Sequence, residues 1–194
     1  TREGALVVLD DLTFSRDRRI HTQHDQVRVQ ILTPVELVPP ETLVLPPDGC
    51  IDLGSDADGQ YLGRGWFRSE DIAGTTGRWA GSELTSAVRL TLPSADAHAL
   101  YLRALAYPAD QVLTLSAGGQ VIAGIPLPQS WTDVRIEIPE EIIRRGPTLT
   151  LELIHATTAS PFEITGGASS DKRALAAAYD LICITASGGD SGSD

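Results

Sequence analysis

Thr148-Leu149-Thr150-Leu151-Glu152-Leu153 follows directly on Gly146-Pro147 and alternates polar with apolar residues. Successive side chains of a strand point to opposite faces. The stretch therefore lays its leucines on one face and Thr150 and Glu152 on the other, the pattern of a half-buried strand. The same period returns in Val88-Arg89-Leu90-Thr91-Leu92, which ends at Pro93, and in Val134-Arg135-Ile136-Glu137-Ile138, which ends at Pro139. Further strands are expected at Ala5 to Asp10, Val27 to Thr33, Cys50 to Gly54, Leu100 to Tyr107, Val112 to Ser116, Gln120 to Leu127 and Ala177 to Thr185. Gly118-Gly119 reads as a tight hairpin turn, because two glycines accept the positive φ that such turns need. One short helix is expected from Pro139 to Arg145, with Glu140 and Glu141 in its first turn and Arg144 and Arg145 just before Gly146.

About ten strands with frequent turn signals and no long helices predict an all-β chain, an antiparallel β-sandwich of jelly-roll type. Its core is expected at Ile51, Leu53, Val88, Leu90, Leu100, Leu102, Leu113, Leu115, Val134, Ile136, Leu149, Leu151, Ile182 and Ile184. Residues 1–47 carry strand-like pieces between polar and proline-rich stretches and read as an N-terminal extended or β arm, or an extra hairpin layer. Residues 48–186 form the sandwich, and 187–194 a polar flexible tail.

The chain has 194 residues, 26 of them acidic against 14 Arg and the single Lys172, giving a net charge of -11. So acidic a surface excludes nucleic acid and anionic membrane surfaces as partners. No apolar run approaches the length of a membrane span. The chain starts at Thr1 and contains no Met, so it reads as a processed product or a piece of a longer polypeptide. Asn is absent too, which leaves only Ser and Thr for any glycan attachment. Cys50 and Cys183 are too few for a disulfide framework or a zinc site, and stand as one bridge or two buried thiols.

No nucleophile motif or phosphate-binding glycine loop is present, and neighbouring carboxylates such as Glu70-Asp71 or Glu140-Glu141 carry no weight among so many acids. His21-Thr22-Gln23-His24 lacks the glutamate of a zinc protease. The chain is therefore expected not to be an enzyme. Asp56-Ala57-Asp58-Gly59 resembles the opening of a calcium loop, but its twelfth position is Phe67 where a closing Glu would stand. An acidic turn is the expectation, with a structural calcium ion on Asp56 and Asp58 as the alternative and no other cofactor.

Ile51-Asp52-Leu53-Gly54, Tyr61-Leu62-Gly63-Arg64-Gly65-Trp66-Phe67 with Glu70 behind it, and Gly77-Arg78-Trp79-Ala80-Gly81 follow one another in a telling order. The order continues through Gly119-Gln120, Ser130-Trp131, Ser160-Pro161-Phe162-Glu163 and Asp171-Lys172-Arg173-Ala174-Leu175. Together they resemble the jelly-roll, carbohydrate-binding-like extracytoplasmic domains appended to bacterial membrane glycosyltransferases. The resemblance covers residues 49 to 185 and leaves the arm outside. It departs at Phe67, where Tyr is common in those domains, and at Leu181-Ile182-Cys183, where an aromatic is common.

The resemblance implies a non-catalytic module on the outer side of a bacterial membrane or at the cell surface, accessory to a glycosyltransferase, with a glycan or cell-surface polysaccharide as partner. Trp66, Phe67 and Trp79 would supply apolar faces for sugar rings, and Arg64, Arg78 and Glu70 the polar groups that bond hydroxyls. The competing expectation has Trp66 and Trp79 closing one end of the sandwich, Arg78 paired with Glu70 or Asp171, and Trp131 at the core edge. Alternation turns Ile51, Leu53, Ile182 and Ile184 inward and both cysteines outward. The family implies neighbouring first and last strands, which would let Cys50 and Cys183 bridge. A second functional class is a structural subunit of an extracellular assembly, self-associating or joined to a partner protein by strand donation from residues 1–47.

Overall fold

The computed structural model describes residues 13–14, 20–21, 43–92, 98–109 and 111–186. The chain divides into two compact units, Thr1–Pro39 and Pro40–Asp194. In the first, β1 (Thr13–Phe14) pairs antiparallel with β2 (Ile20–His21). The strands expected at Ala5 to Asp10 and Val27 to Thr33, and the tail at 187–194, lie outside the described residues.

The second unit is an antiparallel β-sandwich of jelly-roll type. Its strands are β3 (Cys50–Asp52), β4 (Trp66–Ile72), β5 (Thr75–Ala80), β6 (Thr85–Thr91), β7 (His98–Ala106), β8 (Gln111–Ala117), β9 (Gln120–Leu127), β10 (Thr132–Ile138), β11 (Thr148–His155) and β12 (Ala177–Ala186). One sheet runs β10-β7-β12-β5-β4, and β3 pairs the far half of β12. The other runs β6-β11-β8-β9. Two four-residue helices, α1 (Glu140–Ile143) and α2 (Pro161–Ile164), sit in the connections. None of the described helices is long and apolar enough to cross a membrane.

The alternation that defines β11 does what its sequence predicts: Leu149, Leu151 and Leu153 are buried, while Thr148 and Thr150 are exposed. It pairs β6 with Leu149 opposite Leu90 and Leu151 opposite Val88, so both strands feed one core. The expected core is buried throughout except for Val134, which is half-buried on the edge strand β10. Added to it are Tyr61, Ile142, Ile143 and Tyr179, the last fully buried. The Gly118-Gly119 turn has φ of 55° and 78°, the left-handed pair that a two-residue hairpin requires.

Two features differ from expectation. The sandwich begins before residue 48: Leu43 and Leu45 pack on the core, and the Tyr61 hydroxyl donates to the Val44 carbonyl at 2.8 Å. The arm boundary expected at Pro47 therefore lies earlier, with the division between units at Pro39 and Pro40. Strands β4 and β5 carry no clean period. β4 lies at the sheet edge and its register with β5 shifts between Trp66 and Ser69, which breaks the alternation.

Asp52, Ile51 and Cys50 face Leu181, Ile182 and Cys183 in the β3–β12 register. The facing cysteines form a disulfide that joins positions 133 apart in sequence. Ile51, Leu53, Ile182 and Ile184 point into the core, so the bridge lies on the opposite, outer face of the larger sheet.

Candidate functional site

The residues gathered between Arg64 and Trp79 do not form one surface. Trp66 turns into the fold. Its Nε1 donates to the Ala87 carbonyl at 2.8 Å, and its ring meets Tyr179 edge-on at 5.4 Å. Tyr179 in turn lies 2.9 Å from His155 Nε2, while His155 Nδ1 lies 3.0 Å from the Leu84 carbonyl. A carbonyl only accepts, so Nδ1 carries the hydrogen and Nε2 receives the one from the Tyr179 hydroxyl. Burial pushes the His155 imidazole down to about 4 and raises the Tyr179 phenol, which keeps this internal row uncharged.

Arg78 is equally structural. Its guanidinium forks onto both oxygens of Asp58, with Nη2 to Oδ1 at 2.7 Å and Nε to Oδ2, and Nη1 donates to the Phe67 carbonyl at 2.9 Å. Asp58 is only 1% exposed, so the pair clamps the β3–β4 connection onto β5. Arg78 thus pairs with Asp58, and the expected pairing with Glu70 or Asp171 is corrected. Asp56 is exposed while Asp58 faces Arg78, and no group of three His, Cys, Asp or Glu among the described residues is placed to hold a metal ion. Arg64 is exposed and lies 3.4 Å from Glu152 on β11, of the other sheet, and 3.8 Å from Glu83.

What remains converges elsewhere. Trp79 and Leu105 flank Ala178 in the register of β5, β12 and β7, while Ala177 and Tyr179 on either side belong to the core. Alternation therefore puts Trp79, Leu105 and Ala178 on the outer face of the larger sheet. Trp131 packs on the same small cluster together with Ile72, and its Nε1 donates to the Ile72 carbonyl at 3.2 Å. Gly77 makes room beneath it: a Cβ there would stand 3.5 Å from the Trp131 ring and 2.6 Å from the Tyr179 carbonyl oxygen. Tyr107 meets Trp79 edge-on at 5.7 Å. Burial and then the charge of Asp171 raise its phenol, which places Asp171 at the border of this aromatic patch.

Asp171 belongs to a short polar rim. Arg173 bonds it from Nε at 3.1 Å and from Nη2 at 2.7 Å, and Nη2 also reaches Glu70 at 2.8 Å. Those bonds hold the Asp171 carboxyl below the usual range and raise the Arg173 guanidinium, whose largest cause is its bond to Asp171. The same guanidinium covers the Phe67 ring at 5.3 Å, so Phe67 serves as a shelf for Arg173. Glu70 pairs Gly77 in the register and so shares the face of Trp79. Trp79, Tyr107, Trp131, Phe67, Glu70, Asp171 and Arg173 are all half-buried.

Of the residues singled out in sequence, Phe67, Trp79 and Glu70 come together, whereas Trp66, Arg64 and Arg78 serve other places. Sequence reasoning assigns no site role to Tyr107 or Arg173, names Asp171 as a partner for Arg78, and expects Trp131 at the core edge, where it packs half-buried on the cluster of Ile72, Leu105 and Ala178. Only the spacing of Asp171 and Arg173, two residues apart on an extended segment, hints at a local pair.

No family model matches the chain, and no curated protein matches it. Among solved structures, similar ones are carbohydrate-binding modules. The CBM36-1 domain of a multidomain xylanase from the hindgut metagenome of Trinervitermes trinervoides shares 13% identity over 72% of this chain and 98% of that one, with a TM-score of 0.42. A module of the Cellvibrio mixtus lichenase 5A, in complex with cellotriose, shares 13% over 73% and 98%, with a TM-score of 0.40. The family 35 module from Clostridium thermocellum shares 8% over 71% and 98%, at 0.42. Such values are too low to carry a family or a ligand over to this chain.

Proposed function

We propose that the chain is a non-catalytic glycan-binding module whose binding surface is the outer face of the larger sheet around Trp79. The observation that carries this reading is the aromatic patch of Trp79, Tyr107 and Trp131, half-open to solvent and edged by Glu70, Asp171 and Arg173. Rings of sugars present C–H faces that stack on aromatic surfaces, and hydroxyls that both donate and accept beside them. The patch offers both: Trp79 and Glu70 stand on β5 and β4, and Tyr107, Trp131, Asp171 and Arg173 on the segments that flank β7, β10 and β12. The Cys50–Cys183 bridge supports an extracytoplasmic setting, since such bonds persist where the compartment is oxidising. An accessory role beside a membrane glycosyltransferase fits the resemblance in sequence order. The test is affinity electrophoresis of the full chain in gels containing polysaccharides. Retardation of the parent that is lost in Trp79→Ala at unchanged melting temperature supports the reading, and absence of retardation by every polysaccharide tried refutes it.

A second reading, a subunit that assembles by strand donation from its N-terminal part, is favoured by one observation: Thr1–Pro39 is a compact unit apart from the sandwich, with its own β1–β2 pair. Its test is the mass of the full chain in solution, where a monomer near 20.7 kDa refutes it.

A further inference from the structure

We infer that the surface around Trp79 selects neutral glycans against anionic ones, and that Arg173 is the residue that sets this choice. The inference rests on the glycan-binding reading and concerns the charge of the ligand.

Arginine recognises carboxylate, sulfate and phosphate best through a fork of two parallel N–H donors. In Arg173 the fork formed by Nε and Nη2 is already occupied by Asp171, and Nη2 is shared with Glu70. The Phe67 ring lies beneath it, with its centroid 5.3 Å from the guanidinium carbon. Of the three guanidinium nitrogens Nη1 alone has no hydrogen-bond partner among the described residues, and of the two Glu70 oxygens Oε2 has none. One open donor beside one open carboxylate acceptor suits a hydroxyl, which can accept from the first and donate to the second. An anion finds neither a fork nor a favourable charge, because two carboxylates outweigh one guanidinium. The rest of the face adds to the repulsion. Asp180 lies 3.4 Å from the exposed Arg103; burial raises it, Arg103 lowers it, and the charges of Asp52 and Asp133 raise it again. The chain as a whole carries -11.

The experiment is affinity electrophoresis of the full chain against neutral polysaccharides (a β-glucan, a mannan, a xylan) and anionic ones (a polygalacturonate, a sulfated glycan), at about 50 mM and about 500 mM NaCl. Retardation by a neutral polymer, insensitive to salt, with no retardation by the anionic ones, supports the inference. Arg173→Lys keeps the charge but loses the planar fork, so neutral binding should fall about tenfold, the worth of roughly one hydrogen bond. Retardation by an anionic polymer, weakening as salt rises, overturns the inference and leaves the glycan reading standing. Neutral binding unchanged in Arg173→Lys overturns the role of Arg173. Failure to bind any polymer overturns both.

Discussion

Replacing Arg78 by Met removes the guanidinium but keeps most of the side-chain stem against the core. The loss is large because of what is left behind. Asp58, 1% exposed, would keep a carboxylate with no counter-charge after losing both of its fork contacts. The Phe67 carbonyl would lose its donor at 2.9 Å as well. Breaking a buried pair by deleting one partner costs about 3–5 kcal/mol, against at most about 1 kcal/mol for an exposed pair. For a chain of this size, each kcal/mol lowers the melting temperature by about 2–4 °C, so Arg78→Met should melt about 6–20 °C below the parent. Urea denaturation followed by tryptophan fluorescence measures the free energy directly. A second variant, Arg78→Met with Asp58→Leu, removes both charges and should recover most of the loss, since an apolar pair of similar volume replaces an ion pair at little cost. An Arg78→Met variant within about 1 kcal/mol of the parent, or a double variant no better than the single one, would refute the clamp assigned to Arg78.

Three further outcomes follow from the same geometry. Losing the disulfide, by reduction or by Cys50→Ala with Cys183→Ala, frees a loop of 133 residues, which in the chain-entropy model costs up to about 5 kcal/mol; denaturation with and without reductant measures it, and a change under about 1 kcal/mol contradicts the expectation. His155 titrates at about 4 in the fold and near 6.5 in an unfolded chain, so between these values the unfolded chain binds the extra proton. Its contribution, complete above about pH 6.5, is lost as pH falls toward about 4 and amounts to about 3 kcal/mol; His155→Gln should flatten the stability profile in that window, and an equally steep profile would contradict the assignment. Gly77→Ala drives a methyl to 2.6 Å from the Tyr179 carbonyl oxygen and should cost about 1–3 kcal/mol by urea denaturation, with an unchanged midpoint as the contrary result.

The sandwich was legible where one face of a strand is wet and the other dry. Leu149, Leu151 and Leu153 are read correctly because hydrophobic burial acts at each position separately and the period of a strand is two. β4 and β5 escape that rule, since an edge strand has less to bury and its bulge shifts the period at Trp66. The disulfide followed from neighbouring first and last strands, a matter of topology that the family resemblance supplied.

The site was legible only in part. Trp66 and Trp79 look alike in sequence, yet one donates into the core and the other lies on the outer face, because Trp66 faces the buried Ala80 across the β4–β5 pair and Trp79 is the residue next to Ala80, turned to the opposite side. Arg78 takes Asp58, while Glu70 and Asp171, the partners expected for it, bind Arg173 instead. Arg173 meets Glu70 across 103 positions, and with 26 acidic residues available nothing local selects which carboxylate a given arginine will meet.

The most direct test of the account is titration calorimetry of the full chain with the neutral oligosaccharide of whichever polymer retards it, run in parallel on Trp79→Ala, Trp131→Ala and Arg64→Ala. The account predicts binding by the parent, at least about tenfold weaker binding for the two tryptophan variants, and parent-like affinity for Arg64→Ala, whose side chain faces Glu152 on the other sheet. Loss of binding in Arg64→Ala with both tryptophan variants unaffected would put the ligand on the opposite sheet and contradict it.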